Sequence, residues 1–166
     1  GGAARGARAA AAVAGERARG RGGAADVERA SGWYKTGHDT GLRKTEMKGA
    51  DKSLWAFRWA HAQASIAARR GQIEEARKQV AAAKSALDKA NNPDQAQFFP
   101  YLTGYVAFYG GDYKTAVADL EKANQKDPFI LLLLAQAYEK AGDSNRAKEY
   151  YGKGLANNGN GPAHEF

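Results

Sequence analysis

The chain contains no cysteine, only four prolines and a single methionine among its 166 residues. The absence of cysteine excludes disulfide bonds and thiolate chemistry, although it does not determine the cellular compartment. The scarcity of proline, together with abundant alanine, lysine, glutamate and glutamine, favours helix over sheet. A chain of this length fits one domain that can bury a substantial core.

Long apolar segments are missing as well. The longest run extends from Phe129 to Ala135, and it is far too short to cross a bilayer. The alanine-rich start of the chain is interrupted by arginines and lacks the apolar middle region of a secretory signal peptide. We therefore expect a soluble protein of the cytoplasm or the periplasm without a membrane span.

Residues arranged for catalysis or metal binding are also absent from the sequence. The three histidines, His38, His61 and His164, are far apart, and no cluster of His, Asp or Glu has metal-ligand spacing. Glu74 and Glu75 follow a turn at the start of a predicted helix, where acidic residues interact favourably with the helix dipole. We predict that the protein is not an enzyme and that it uses no metal and no cofactor.

The net charge of +7 is distributed unevenly along the chain. Residues 1–30 carry six arginines against three acidic residues, and residues 31–95 carry twelve basic against seven acidic residues. Residues 96–166 are slightly acidic, with seven basic and eight acidic residues. A nucleic-acid or acidic-partner function would therefore depend on the first part of the chain.

The segment from Phe99 to Pro128 contains the clearest pattern of the sequence. Apolar residues recur at intervals of three to four on both sides of the turn at Gly111-Asp112-Tyr113, as they do on one face of an amphipathic helix. The small residues Gly104, Ala116 and Ala123 would let two helices approach closely. This segment therefore predicts an antiparallel helical hairpin whose outer faces need further helices to pack against.

The same segment resembles a tetratricopeptide repeat, a helical hairpin of about 34 residues. The chain departs from the family pattern at Pro100, where a tryptophan is usual, and at Ala107, where a tyrosine is usual. The matching residues are a small residue in the first helix, the turn, two alanines in the second helix and the closing proline: Gly104, Gly111, Asp112, Tyr113, Ala116, Ala123, Asp127 and Pro128.

Two further units resemble the same repeat. In the first, Gly71-Gln72-Ile73 takes the place of the turn, and in the last, Gly142-Asp143-Ser144 does. The turns lie 40 and 31 residues apart, so we expect a loop over residues 88–97 to absorb the excess. The resemblance implies an all-α tetratricopeptide-like solenoid of about three repeats over residues 53–156, with units near 54–90, 97–128 and 128–156.

The segments outside these units are expected to be less regular. Residues 1–32, rich in Gly, Ala and Arg, are predicted to be a flexible or weakly helical lead-in, and residues 157–166 a disordered tail. Residues 33–52 are predicted to form a loop or a short helix held in place by the ring of Trp33. Asp51 or Ser53 is expected to cap the helix that runs from Leu54 to Arg70.

In the family, the first helices of the repeats line a concave groove that binds extended peptides or helices of partner proteins. We call the corresponding surface of this chain the predicted groove. Counting back from the turn glycines places twelve residues on this groove, and four of them are not among the predicted binding residues: Ser65, Phe98, Leu132 and Glu139. The residues that we predict to bind a partner are Arg58 and Arg69 as a basic rim, His61, a row of tyrosines at Tyr101, Tyr105 and Tyr109, and Gln136 and Lys140.

The resemblance implies a non-catalytic scaffold for protein–protein interaction, with a protein or peptide ligand whose identity the sequence does not specify. The overall appearance of the repeats suggests a bacterial origin. His61, Ser65, Tyr101 and Tyr105 replace the Lys and Asn side chains that hold a terminal carboxylate in chaperone-binding members, so a chaperone tail is not the expected ligand.

Two alternatives remain open at this stage. One is a nucleic-acid-binding module that uses the basic first part of the chain; it is disfavoured because arginine-rich arms usually carry denser charge. The other is self-assembly into a homo-oligomer through an uncapped end of the stack, if Tyr150 or Tyr151 is left exposed there.

Overall fold

The computed structural model describes residues 27–40 and 49–157, and all regular secondary structure within these residues is α-helical. The all-α prediction is thus confirmed for the described part of the chain. The predictions for residues 1–26, 41–48 and 158–166, which include most of the lead-in and nearly all of the tail, lie outside the described residues.

The described helices follow one another with short connections. Residues 27–40 form a helix that we call α1. The helices that follow are α2 Gly49–Arg69, α3 Ile73–Ala90, α4 Pro93–Ala96, α5 Phe99–Tyr109, α6 Tyr113–Leu120, α7 Pro128–Lys140 and α8 Ser144–Ala156.

Three of the connections are tight turns centred on the glycines at 71, 111 and 142. Their φ angles are +73°, +80° and +89°, in the left-handed region that glycine adopts without steric cost. At each turn the amide of the residue after the glycine donates to the carbonyl four residues before the glycine, at 2.9 Å in all three. This arrangement satisfies carbonyl groups at the end of the first helix and reverses the chain direction.

Side chains reinforce the starts of several helices. The carboxylates of Asp112 and Asp143 accept hydrogen bonds from backbone amides in the first turns of α6 and α8, at 3.1 and 3.0 Å. Asp127 caps α7 in the same way at 2.8 Å, directly before Pro128. The equivalent residue before α3, Gln72, makes no side-chain cap.

Several predicted boundaries differ from the structure. Helix α2 begins at Gly49, so Asp51 and Ser53 lie inside its first turns and do not cap it. A propagating helix gains a hydrogen bond with each added residue, and Asp51 favours the positive end of the helix dipole. Within the loop predicted at residues 88–97, α3 continues to Ala90 and Pro93–Ala96 forms the short helix α4.

The helices pack mainly as consecutive hairpins. Helix α2 packs on α3, α5 on α6, and α7 on α8, while α5 also contacts α2 and α3, and α7 contacts α5 and α6. One group of buried side chains joins the first hairpin to α5 around Phe57, Leu102 and Val106. A second group joins the middle and last hairpins around Leu120 and Leu134.

The middle hairpin depends on the absence of a side chain at Gly104. A Cβ atom at this position would lie 2.7 Å from Leu120 Cγ and 3.1 Å from the Leu120 backbone nitrogen. Both distances are too short for a relaxed contact, so α5 and α6 can approach as closely as they do only with glycine here. The close approach predicted from the small residues is thus present.

Candidate functional site

Helix α1 lies against α2 in the opposite direction. Near its start, Glu28 forms an ion pair with Arg70, the residue that follows α2. Near its end, the His38 ring lies 4.5 Å from the ring of Trp59, at the midpoint of α2. These two contacts show that α1 runs antiparallel to α2 along much of its length.

One face of α1 covers part of the predicted groove. Val27, Ala30 and Tyr34, at helical spacing, line a cavity of about 320 Å³ together with residues of α2 and α5. The opposite walls of this cavity include His61, Ser65 and Arg69 from α2 and Tyr101 and Tyr105 from α5. The chain therefore places one of its own helices on the surface at which we expected a partner.

His61 is buried at the centre of this contact. Its side chain is 5% exposed, and its ring stacks 6.1 Å from the ring of Tyr101 and meets Phe57 edge-on at 5.9 Å. Burial lowers the pKa of His61 from 6.5 to about 4, because the low-dielectric surroundings disfavour the charged ring. At neutral pH His61 is therefore a neutral packing residue.

The three predicted tyrosines form a row along α5. The ring centroids of Tyr101 and Tyr105 are 5.7 Å apart, and those of Tyr105 and Tyr109 are 4.7 Å apart. Burial raises the pKa of Tyr101 to about 12 and raises the pKa of Tyr105 as well. Their hydroxyls therefore stay neutral near pH 7, and Tyr109 is the most exposed of the three.

The two arginines of the predicted basic rim lie in different places. The Arg69 guanidinium is 5.5 Å from the ring of Tyr109, and its side chain also interacts with Tyr105. Arg58 is eleven residues earlier on α2, which corresponds to about 16 Å along a helix. Its guanidinium lies 5.8 Å from the ring of Trp55. Arg69 thus belongs to the tyrosine row, whereas Arg58 lines a second cavity together with Trp55 and Trp59.

The remaining predicted residues lie on the last hairpin. Gln136 and Lys140 are both exposed on α7, one turn apart. Neither lines the cavity that α1 shares with α2 and α5. Of the eight predicted residues, the structure gathers His61, Arg69, Tyr101, Tyr105 and Tyr109 into one continuous surface and leaves Arg58, Gln136 and Lys140 outside it.

Sequence reasoning missed the contribution of α1. Val27, Ala30, Tyr34 and His38 are spaced as one face of a helix and are all partly buried. This pattern was hidden because glycines interrupt the segment and because it crosses the boundary predicted between lead-in and loop. Trp33, expected to hold a loop in place, is instead 80% exposed on α1.

No protein-family model, curated protein or solved structure matches the chain. Among residues 27–40 and 49–157, no group of three or more His, Asp or Glu side chains is placed to hold a metal ion. Within the same residues, none of the helices combines the length and the apolar character needed to cross a membrane.

Proposed function

We propose that this chain is a non-catalytic scaffold for protein–protein interaction, built as a tetratricopeptide-like stack of three helical hairpins. The equal backbone geometry of the three turns supports this repeat assignment. So does the burial of small residues at three equivalent distances from the turn glycines: Ala64, Gly104 and Ala135 before them, and Ala76, Ala116, Ala147, Ala83, Ala123 and Gly154 after them.

The observation that carries the proposed function is the position of α1 on the predicted groove. A helix with Val27, Ala30 and Tyr34 on its inner face lies against His61, Tyr101 and other groove residues. Binding of an amphipathic helix in a groove between helices is a common mode of peptide recognition. The contact within the chain therefore supports a groove that accepts a helical segment of a partner.

Tyr105, Tyr109 and Arg69 suit this role. Tyrosine rings offer large, rigid contact areas, and their hydroxyls can bond to the backbone of a bound segment. Because Tyr109 is exposed, a partner would first engage this end of the tyrosine row and then compete with α1 for the surface around Tyr101. A groove that is partly covered binds its partner more weakly than an open one.

Affinity capture from the source lysate tests the proposal. The full chain would be compared with two variants. Tyr34→Glu weakens the packing of α1 against α2 and α5, and Tyr105→Ser/Tyr109→Ser removes the rings of the exposed part of the tyrosine row. Tyr34→Glu should increase the recovery of a specific partner and the double variant should abolish it. Tyr151→Ser on α8 is the matched control and should recover the partner like the wild type.

Circular dichroism would establish that each variant keeps the helix content of the wild type. Equal recovery of every captured protein by all four chains would contradict the proposal. Nuclease treatment of the lysate distinguishes the nucleic-acid alternative, because an RNA- or DNA-mediated capture would disappear and would weaken steeply with salt.

The described surface gives the nucleic-acid alternative little support. Eight of its basic side chains lie in ion pairs with carboxylates of the same chain, which lowers the charge that phosphates would encounter: Lys35, Arg70, Arg77, Lys78, Lys84, Lys122, Arg146 and Lys153. The end of the stack also offers little for self-association through tyrosines, because Tyr150 stacks on Tyr138 at 5.4 Å and Tyr151 donates a hydrogen bond to Glu139 at 2.9 Å.

A further inference from the structure

A second cavity lies between α1 and α2, on the side of α1 that faces the start of α2. Its volume is about 500 Å³, within the range of cavities that bind small molecules. The three tryptophans of the chain, Trp33, Trp55 and Trp59, all line it. Tyr34 and His38 from α1 complete a wall that consists largely of aromatic rings.

The aromatic rings of this cavity leave apolar faces available to a ligand. The His38 ring covers Trp59 at 4.5 Å with a tilt of 32°, whereas Trp33 is 80% exposed. Indole rings pack on other aromatic rings in offset-stacked or edge-to-face arrangements, and this packing removes apolar surface from water. A flat ring inserted beside Trp33 would cover apolar surface that the protein itself leaves in solvent.

Arg58 is the only arginine or lysine among the described residues that line this cavity. It forms no ion pair with a carboxylate of the described residues, and no Asp or Glu is part of the described lining. Arg70, Arg77 and Arg146, in contrast, each have a carboxylate partner. A guanidinium that has no carboxylate partner favours an anionic ligand, and its fork of donors matches the two oxygens of a carboxylate.

We propose that this cavity binds a small carboxylate ligand that carries a flat aromatic ring. The ring lies among Trp33, Trp55 and Trp59, and the carboxylate accepts hydrogen bonds from the guanidinium of Arg58. This cavity shares Ala30, Tyr34 and His61 with the cavity beside the tyrosine row, but binding of a small acid requires no protein partner. The inference therefore holds or fails independently of the proposed scaffold function.

Tryptophan emission measures binding at this cavity directly, because all tryptophans of the chain line it. The purified full chain would be titrated with 3-phenylpropanoate, with the uncharged 3-phenylpropanamide and with the non-aromatic 3-cyclohexylpropanoate. Only the first ligand offers both a flat ring and a carboxylate. We expect it to change the emission saturably, and we expect the amide to bind about tenfold more weakly because it forms no charge-assisted hydrogen bond.

Two variants separate the role of Arg58 from a general effect of charge. Arg58→Gln should weaken 3-phenylpropanoate binding about tenfold, whereas Arg77→Gln, an exposed arginine on α3, should leave it unchanged. Trp33→Leu removes an exposed ring without disturbing the core and should also weaken binding. The proposal is overturned if 3-phenylpropanoate causes no saturable change, if the amide or the cyclohexyl acid binds equally well, or if Arg58→Gln binds like the wild type.

Discussion

The first and last hairpins share one turn geometry but fill their interiors differently. Helices α2 and α3 have 21 and 18 residues, whereas α7 and α8 have 13 each. The interior of the first hairpin is built mainly from alanine, with Phe57, Ile66 and Leu87 as its large buried side chains. The interior of the last hairpin contains Ile130, Leu131, Leu134 and Tyr138.

Because of this difference, the first hairpin relies more on the length of its helices and on packing against α1. An alanine side chain buries much less apolar surface than a leucine or isoleucine, so each turn of α2 and α3 gains less from packing. Longer helices and the cover provided by α1 add contact area there. The last hairpin buries large side chains and, in addition, Arg146 on α8 donates to Tyr138 at 2.7 Å and to Glu121 at 3.1 Å.

The largest expected effect is a cavity in the last hairpin. Leu134 is fully buried, so Leu134→Ala should lower the free energy of unfolding by about 2–5 kcal/mol through lost burial and incomplete collapse. Ala64→Gly in the first hairpin should cost only about 1 kcal/mol, since it removes a single methyl group and adds backbone freedom. Urea unfolding of the purified chains measures both changes.

Leu155→Ala is the control for this comparison. Leu155 lies on the last hairpin but is 71% exposed, so its truncation should change the stability by about 0.5 kcal/mol or less. If Ala64→Gly destabilised the protein more than Leu134→Ala, the contrast between an alanine-rich and a leucine-rich interior would be wrong.

The next largest expected effect is that acid destabilises the first hairpin, which contains His61. His61 has a pKa of about 4 when folded, against 6.5 in the unfolded chain, so the unfolded state binds a proton more readily. The contribution of neutral His61 to the free energy of unfolding is complete above pH 6.5 and is lost as the pH falls towards 4. The loss amounts to about 3 kcal/mol.

Denaturation at several pH values between these limits would measure this loss. The carboxylates of the chain also titrate in part of this window, so the informative quantity is the difference between the wild type and His61→Gln. The variant should lose part of the pH dependence. Parallel curves for the wild type and His61→Gln would show that His61 does not contribute.

The smallest effect concerns the side chains that follow the turn glycines. Asp143→Ala should destabilise the last hairpin by about 1 kcal/mol, because it removes the acceptor for an amide in the first turn of α8. Gln72 has φ and ψ of −84° and 63°, close to the −94° and 79° of Asp143. Gln72→Asp should therefore add the missing cap and stabilise the first hairpin by up to about 1 kcal/mol.

Thermal unfolding of the two single variants measures this pair of effects. Asp112→Ala in the middle hairpin serves as a second loss of the same kind, since Asp112 caps α6 at 3.1 Å. Changes of the same sign for Asp143→Ala and Gln72→Asp would contradict the assignment of these positions as equivalent caps.

Much of the helical arrangement was predictable because its signals are local. The glycines at the three turns, the caps at Asp112 and Asp143, and the spacing of apolar residues act within a few positions of each other. The small side chain needed at Gly104 could also be predicted, because its partner Leu120 follows in the next helix. The start of α2 was placed wrongly, since Asp51 suits both a cap and the first turn of a helix.

The candidate site was predictable only in part. The phase of α5 relative to the turn correctly grouped Tyr101, Tyr105 and Tyr109, because residues four apart share a helix face. No such rule relates Arg58 to Arg69 or either of them to Gln136. Their separation depends on the length of α2 and on where α1 lies.

The sequence by itself determined the helices, their turns and the row of tyrosines, because these features follow from backbone preferences and from a period of 3.6 residues. Only the tertiary structure decided that α1 covers part of this row, that His61 is buried and that three tryptophans meet beside Arg58. Residues 27–40 are weakly apolar, so their place depends on the total surface that the hairpins offer, which no local pattern specifies.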